Sequence, residues 1–174
     1  MQQPTSARAR VATIVLALVF VPAFAGSAIA AGKASIPDVR AATAKYKDIS
    51  AALADGYAFF YMCTEQPGVG TMGQHLLNGE LVSNDAIDPL RPEVLVYQPT
   101  RRGGYRLVGV EYVTFQAGQT VLGQSMNTVP ATNRYGVPAQ FYAKHAWIWQ
   151  ANPKGLFADW NPSLTCLGEG DNGG

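Results

Sequence analysis

Histidine and cysteine are both scarce in this chain of 174 residues, which contains only two of each. Charge is also sparse, since charged residues make up 14% of the sequence and the formal net charge is +1. The basic residues form neither a stripe nor a polybasic amphipathic helix, so the sequence lacks the electrostatic footprint of a protein that binds nucleic acid or an anionic membrane. Those two classes of partner are therefore not expected.

Several well-known catalytic motifs are missing as well. There is no G-x-S-x-G elbow for a serine nucleophile and no G-x-x-x-x-G-K phosphate loop. Residues 68–73 contain G-x-G-x-x-G, but no βαβ unit surrounds them and no acidic residue follows about 20 residues on at a strand end. We interpret these glycines as loop geometry. No internal repeat is visible.

Residues 1–30 have the composition of a secretory signal peptide. Arg8 and Arg10 precede an apolar stretch, and Ala28-Ile-Ala30 is a small-residue cleavage pattern, which predicts a mature chain beginning at Ala31. The apolar stretch is short for a transmembrane helix, so stable membrane insertion is not expected after its removal. There is no twin-arginine pair and no cysteine for a lipid directly after Ala30. The protein is therefore expected to be secreted or periplasmic.

The remaining chain is long enough for one domain. Removing residues 1–30 leaves eleven basic and twelve acidic residues, hence a net charge of −1. About 144 residues bury roughly two thirds of their unfolded surface, so we assign residues 31–167 to a single globular domain and residues 168–174 to a disordered tail.

The two cysteines, Cys63 and Cys166, are expected to form a disulfide in an oxidising compartment. Closing a loop of this length restricts the unfolded chain and predicts about 4.7 kcal/mol of stabilisation. The alternative is that both thiolates contribute to a metal site, although structural sites of that type normally show close C-x-x-C spacing.

The order of apolar patterns predicts one helix followed by several strands. Residues 37–55 carry apolar side chains three and four positions apart, begin after a Ser35 cap and end at Gly56. Strands are expected at residues 57–63, 93–97, 105–115 and 141–150, and irregular segments at 67–73, 79–92 and 116–137. The strands at 93–97 and 105–115 should pair as a hairpin, and the segment 116–137 is a candidate cover for a pocket.

The fold class predicted from this order is α+β, with one N-terminal helix packed on a largely antiparallel β-sheet. A small closed β-barrel is the alternative.

Three residues on separate predicted elements are candidate metal ligands: His75, Glu111 and His145. Glu111 lies in a strand that is apolar on both faces, where an unpaired ionised acid is unfavourable. Two histidines and a carboxylate leave open positions on zinc, iron, manganese or copper, as hydrolysis or oxygen chemistry requires. One ion can join the two imidazoles only if they lie within about 8 Å of each other. The cofactor expected from this set is a divalent or transition metal ion, and the sequence leaves open whether the site is catalytic.

Each candidate also has a structural alternative. Glu111 could form a salt bridge with Arg106, Arg134 or Lys144, and a histidine on an aromatic strand is often a hydrogen-bonded core residue. The alternative function is a non-catalytic secreted binding module, in which Trp147 and Trp149 present an aromatic face to a small-molecule ligand and both histidines are structural. The sequence carries no signal for an oligomeric state.

Four sequence blocks resemble a family of small exported bacterial proteins of unknown function. The blocks are Met72-Gly-x-His75 to Asn78, Asp88-Pro-Leu-Arg-Pro-Glu-Val-Leu-Val-Tyr97, Leu107 to Tyr112, and His145-Ala-Trp-Ile-Trp-Gln-Ala-Asn-Pro153 continuing to Phe157-Ala-Asp-Trp-Asn-Pro162. The resemblance implies bacterial origin and export and carries no reaction with it. Gly73-x-His75-x-x-Asn78 together with Glu111 also resembles part of a cupin metal site, without that family's H-x-H pair or its second glycine pattern.

Overall fold

The computed structural model of the chain describes residues 34–166. The predicted signal peptide (1–30) and tail (168–174) lie outside the described residues. The helices are α1 (Ile36–Thr43), α2 (Ile49–Ala54) and α3 (Gly79–Asn84), with a 3₁₀ turn at Ala44–Lys47. The strands are β1 (Tyr57–Gln66), β2 (Gly70–Asn78), β3 (Val94–Pro99), β4 (Tyr105–Thr114), β5 (Thr120–Val121), β6 (Gln124–Ser125), β7 (Asn127–Val129) and β8 (Phe141–Ala146).

Six of these strands form one curled antiparallel sheet in the order β1-β2-β3-β4-β8-β7, and β5 pairs only with β6. The α+β class with an antiparallel sheet is therefore confirmed, as is the hairpin of β3 and β4. Within the described residues β1 and β7 are the two edges and do not pair with each other, so the sheet is curled without closing into the alternative barrel. None of the described helices is long and apolar enough to cross a membrane.

The helical segment expected at 37–55 is divided at Asp48. Its start is as expected, since the carboxylate of Asp38 accepts hydrogen bonds from the backbone N–H and hydroxyl of Ser35. Asp48 instead has an extended backbone, and its carboxylate accepts the N–H of Ser50, which caps a new helix. Gly56 ends the segment with a φ of +87°. The single continuous helix is thus corrected to two short helices joined by a 3₁₀ turn.

The segment expected as a glycine-rich loop at 67–73 is mostly strand. Only residues 67–69 form the turn between β1 and β2, and Gly70 and Gly73 lie within β2. A Cβ atom at Gly70 would lie 2.7 Å from the Asn161 backbone, and one at Gly73 would lie 2.9 Å from the Tyr97 carbonyl oxygen. These glycines therefore permit a close backbone approach within the sheet.

Three other boundaries differ from the sequence expectations. The irregular segment 79–92 begins with α3, which is capped by the Asn78 side chain. The irregular segment 116–137 contains the short strands β5, β6 and β7. The last long strand ends at Ala146 rather than at residue 150, because the N–H of Trp147 bonds to Leu156 and the N–H of Ile148 turns back to Ala146.

Each face of the sheet packs against a different set of residues. One face, which includes Leu76, Leu95, Val110 and Ile148, packs against the N-terminal helices α1 and α2. Together they form the larger apolar core. The opposite face carries the apolar residues Val94, Val113, Phe141 and Ala143 and the three candidate ligands. We call this opposite face the cavity face.

The expected disulfide between Cys63 and Cys166 is present. It joins β1 to the last described residue, and noncovalent contacts run beside it: Thr71 pairs with Asn161, and the N–H of Cys166 donates to a Glu65 carboxylate oxygen at 2.8 Å. The C-terminal segment is thereby held along the β1–β2 hairpin.

Candidate metal centre

Three strands bring the candidate ligands to the same face of the sheet. His75 is in β2, Glu111 in β4 and His145 in β8. Glu111 and His145 are direct cross-strand partners, so their side chains point to the same face. His75 pairs with Val96, which in turn pairs with Gly109, two residues before Glu111. Because side chains alternate between faces, His75 therefore lies on the face of Glu111, across β3.

The side-chain atoms converge closely. The Nε2 atoms of His75 and His145 are 3.2 Å apart, and His75 Nε2 is 3.5 Å from Glu111 Oε2. His145 Nδ1 is 3.4 Å from Glu111 Oε1. The ring centroids are 5.5 Å apart, inside the 8 Å limit expected for a shared ion. One ligand atom from each of the three residues lies within 4.8 Å of the others, so the cluster could hold a metal ion.

The cluster is buried and uncharged near neutral pH. His75 and His145 are 6% and 2% exposed. Burial lowers the pKa of His75 to about 4, against the opposing effect of a hydrogen bond to the Gly73 backbone. Burial, together with the neighbouring His75 and Lys144, lowers the pKa of His145 well below its usual range. Burial and the carboxylates of Asp159 and Glu93 raise the pKa of Glu111 to about 8. Both imidazoles are therefore neutral at pH 7, so each has one unprotonated ring nitrogen that can bind a metal ion, whereas Glu111 holds a proton.

The expected cation partners of Glu111 lie elsewhere. Arg106 donates to Gln98 and Gln150, Arg134 lies over the Trp160 ring, and Lys144 donates to Asn127. The partners of Glu111 in the described residues are the two imidazoles. The salt-bridge alternative for this acid is thus not what the structure contains.

Contacts outside the cluster fix the orientation of the rings. The Trp147 indole stacks on His145 with centroids 5.6 Å apart and an interplanar angle of 15°. Its Nε1–H donates to the Ala158 carbonyl at 2.6 Å. His75 is held in turn by the Gly73 backbone. Such outer contacts are the ones that orient metal-binding histidines in known sites.

Trp147 and Trp149 do not form the exposed ligand face that strand alternation suggests. Trp147 is 2% exposed and packs with Val96, Val108 and Leu164. Trp149 packs against the core on the helical side, and its Nε1–H donates to Thr43. The physical reason is that β8 ends at Ala146, so the two-residue alternation does not extend to Trp149.

A cavity of about 200 Å³ opens beside the cluster, and His75, Glu111 and His145 belong to its lining. Residues 127–137 contribute to its wall through Asn127, Tyr135 and Val137, in line with the expectation that segment 116–137 covers a pocket. Asp159 also lines the cavity, and its carboxylate accepts from Asn127 at 2.8 Å.

Sequence reasoning missed Asp159, Asn127 and Tyr135 as residues of the site. All three lie outside the strands that alternation patterns identify, in short strand or loop segments whose direction depends on tertiary contacts. The available signal for Asp159 was its position in the Phe157-Ala-Asp-Trp-Asn-Pro162 block. Asn127 and Tyr135 lie in a segment with no comparable pattern.

No protein-family model matches the chain, and no curated protein and no solved structure matches it either.

Proposed function

We propose that this protein binds a divalent transition metal ion through His75, Glu111 and His145. The observation that carries the proposal is the convergence of three ligand atoms within 4.8 Å from strands that are far apart in the sequence. The ion would replace the Glu111 proton and compensate the charge of the buried carboxylate, whose ion-pair partners among residues 34–166 are the two histidines.

Two distances within the cluster match the spacing of ligand atoms around one ion. Contacts of 3.2 to 3.5 Å are long for hydrogen bonds, which for N–H···O pairs peak near 2.9 to 3.0 Å. Ligand atoms at the corners of a tetrahedron, each 2.0 to 2.1 Å from a central zinc ion, lie about 3.3 to 3.4 Å apart. The distances from His75 Nε2 to His145 Nε2 and to Glu111 Oε2 are close to that spacing. The third contact, from Glu111 Oε1, is to the other nitrogen of His145, Nδ1, and does not enter this comparison.

The ligand types narrow the choice of metal. Two imidazoles and one carboxylate suit zinc, iron(II), manganese(II), cobalt(II) or copper(II), whereas calcium and magnesium prefer sets made of oxygen atoms. Structural zinc sites normally use four protein ligands, and a set of three leaves positions for water or a substrate. The proposed site is therefore of the open type that supports metal-assisted hydrolysis or oxygen chemistry.

The test is metal analysis and titration of purified protein, with His75→Ala, His145→Ala and Glu111→Gln as variants. Glu80→Gln is the matched control, because Glu80 is exposed in the first turn of α3, outside the cluster. We expect the wild-type protein and the control to bind one equivalent of zinc and to melt at a higher temperature with it. Each ligand variant should bind at least tenfold more weakly. A wild-type protein with neither stoichiometric metal nor metal-dependent melting contradicts the proposal.

We also propose that the protein acts outside the cytoplasm, in the periplasm or after secretion. The disulfide supports this, since such bonds persist mainly in oxidising compartments. The intact mass of protein recovered from the extracytoplasmic fraction should correspond to a chain beginning at Ala31. A full-length mass from the cytoplasmic fraction would contradict export.

A further inference from the structure

On the cavity face, each of the three candidate ligands has an apolar side chain at the neighbouring position that points to the same face, two residues away along its strand. His75 is followed on the same face by Leu77, and Glu111 by Val113; in β8, which runs antiparallel to β4, His145 is preceded by Ala143. Because β8 is antiparallel to β2 and β4, all three steps lead in the same direction. The three ligands thus lie at one end of the cavity floor, and apolar side chains form the rest of it.

The same separation holds for the walls of the cavity. Apart from the ligands, the lining consists mainly of aromatic and aliphatic side chains, among them Phe60, Met72, Val129, Tyr135, Val137 and Phe141. Besides the ligands, the polar side chains of the lining are Asn127, Thr128 and Asp159, and Tyr61 and Tyr135 each carry a phenol hydroxyl. The Tyr135 hydroxyl donates to Met72 Sδ at 3.4 Å. The side-chain amide of Asn127 donates a hydrogen bond to the Asp159 carboxylate, and its Oδ1 accepts one from Lys144 Nζ. These hydrogen bonds hold the Asn127 and Asp159 side chains at the wall of the cavity. The apolar part of the lining therefore determines which ligands fit.

We propose that the cavity binds a small, uncharged, mostly apolar organic molecule whose one polar group lies against the metal ion. This inference rests on the proposed metal site, and it adds the chemical class of the ligand. A dry cavity of about 150 Å³ with similar lining takes up benzene. A cavity of about 200 Å³ therefore accepts about eight non-hydrogen atoms, which is one substituted ring or a short branched chain.

Charge and hydrogen bonding oppose the other ligand classes. A sugar or peptide carries many polar groups, and burying them against aliphatic and aromatic walls leaves those groups without partners. The positive charge that a divalent ion keeps after binding Glu111 is offset by the Asp159 carboxylate in the same cavity, so the cavity has no net positive charge to hold an anionic molecule. A ligand with one polar group and an otherwise apolar structure matches a cavity floor whose polar side chains all lie at one end.

Benzyl alcohol, an uncharged ring with one hydroxyl, is the probe, and its binding is measured calorimetrically to the zinc-loaded protein. Glycerol tests the polarity requirement, and 4-biphenylmethanol, with two rings, tests the size limit. Val129→Trp and Val137→Trp fill the cavity from β7 and from the loop after it, so a folding defect in one does not decide the outcome. The matched control is Val69→Trp, because Val69 is half-buried in the β1–β2 turn and does not line the cavity.

We expect benzyl alcohol to bind to the wild-type protein and to Val69→Trp. Glycerol and 4-biphenylmethanol should bind at least tenfold more weakly. The two cavity variants should take up one equivalent of zinc and lose at least tenfold in affinity for benzyl alcohol. Unchanged probe binding in both cavity variants, or none to the zinc-loaded wild type, overturns the ligand assignment. A protein that takes up no zinc, but binds benzyl alcohol in a way that the cavity variants abolish, supports the ligand class and overturns the metal site.

Discussion

At the scale of single residues, the proton on Glu111 determines how the proposed site responds to pH. Its pKa is raised to about 8 by burial and by the nearby carboxylates, whereas the pKa of His75 is lowered to about 4. A metal ion requires the carboxylate and neutral imidazoles. Between pH 5 and 8 the histidines are therefore already in the binding form, and one proton must leave Glu111.

Zinc affinity should consequently rise about tenfold per pH unit between pH 6 and 8 and level off above pH 8. The direction follows because Glu111 is protonated in the metal-free protein below its raised pKa, so metal binding competes with that proton. Competition titrations with a chelator of known affinity, corrected for the chelator's own protonation, measure the slope. In Glu111→Gln the residual affinity should be independent of pH over this range. A flat profile in the wild-type protein would show that Glu111 is not a ligand.

At the scale of secondary-structure elements, the contact between β4 and the end of β8 positions His145. A Cβ atom at Gly109 would lie 2.8 Å from the Ala146 carbonyl oxygen and 3.4 Å from the Trp147 Cα atom. Gly109 is thus required by close approach, and Trp147 is the residue whose indole stacks on His145. A shift of this backbone would disturb the orientation of the His145 ring.

Gly109→Ala is expected to lower the free energy of unfolding by about 1 to 3 kcal/mol, the usual cost of overpacking a tight interior. It should also weaken zinc binding, because β8 must move away from β4. Gly79→Ala is the matched control, because no neighbouring atom of the described part of the chain lies within 4 Å of a Cβ at that position. The stability of this variant should change little. Urea unfolding and zinc titration of both variants provide the measurements. Equal stability of the two variants would show that the β4–β8 contact adapts without strain.

The elements differ in how far the sequence predicts them, for physical reasons. Alternation along β4 correctly placed Glu111 and Val113 on one face, because this part of the strand keeps its two-residue period. The period shifts at the bulge before Gly109, so Leu107 packs with Val110 in the larger core and not on the face of Glu111. The pattern failed at residues 147–150, where turn hydrogen bonds replace the strand. It failed again at Gly70 and Gly73, since a glycine that permits close packing looks the same in sequence as a glycine in a loop. To predict that His75 meets Glu111, one must also know the register with which β3 pairs with its neighbours. That register depends on a bulge after Val96, which the sequence pattern does not reveal.

At the scale of the whole molecule, the disulfide closes most of the described chain into one loop. Cys63 and Cys166 are 103 residues apart, and every strand from β2 to β8 lies between them. The bond also anchors the C-terminal segment, which pairs with β2 through Asn161 and Thr71. That segment includes Leu164, which packs on Trp147 in a small buried cluster. The disulfide therefore supports the fold globally and the surroundings of His145 locally.

Replacing both cysteines, in the variant Cys63→Ser/Cys166→Ser, should lower the free energy of unfolding by about 2 to 5 kcal/mol. The main cause is that the unfolded chain regains the freedom that the 103-residue connection removes. Urea unfolding of metal-free protein measures the loss without a contribution from zinc. Wild-type protein treated with a phosphine reductant should fall to the same stability as the double variant. A loss below about 1 kcal/mol would show that the contacts of residues 161–166 with the β1–β2 hairpin persist in the unfolded chain and already restrict it.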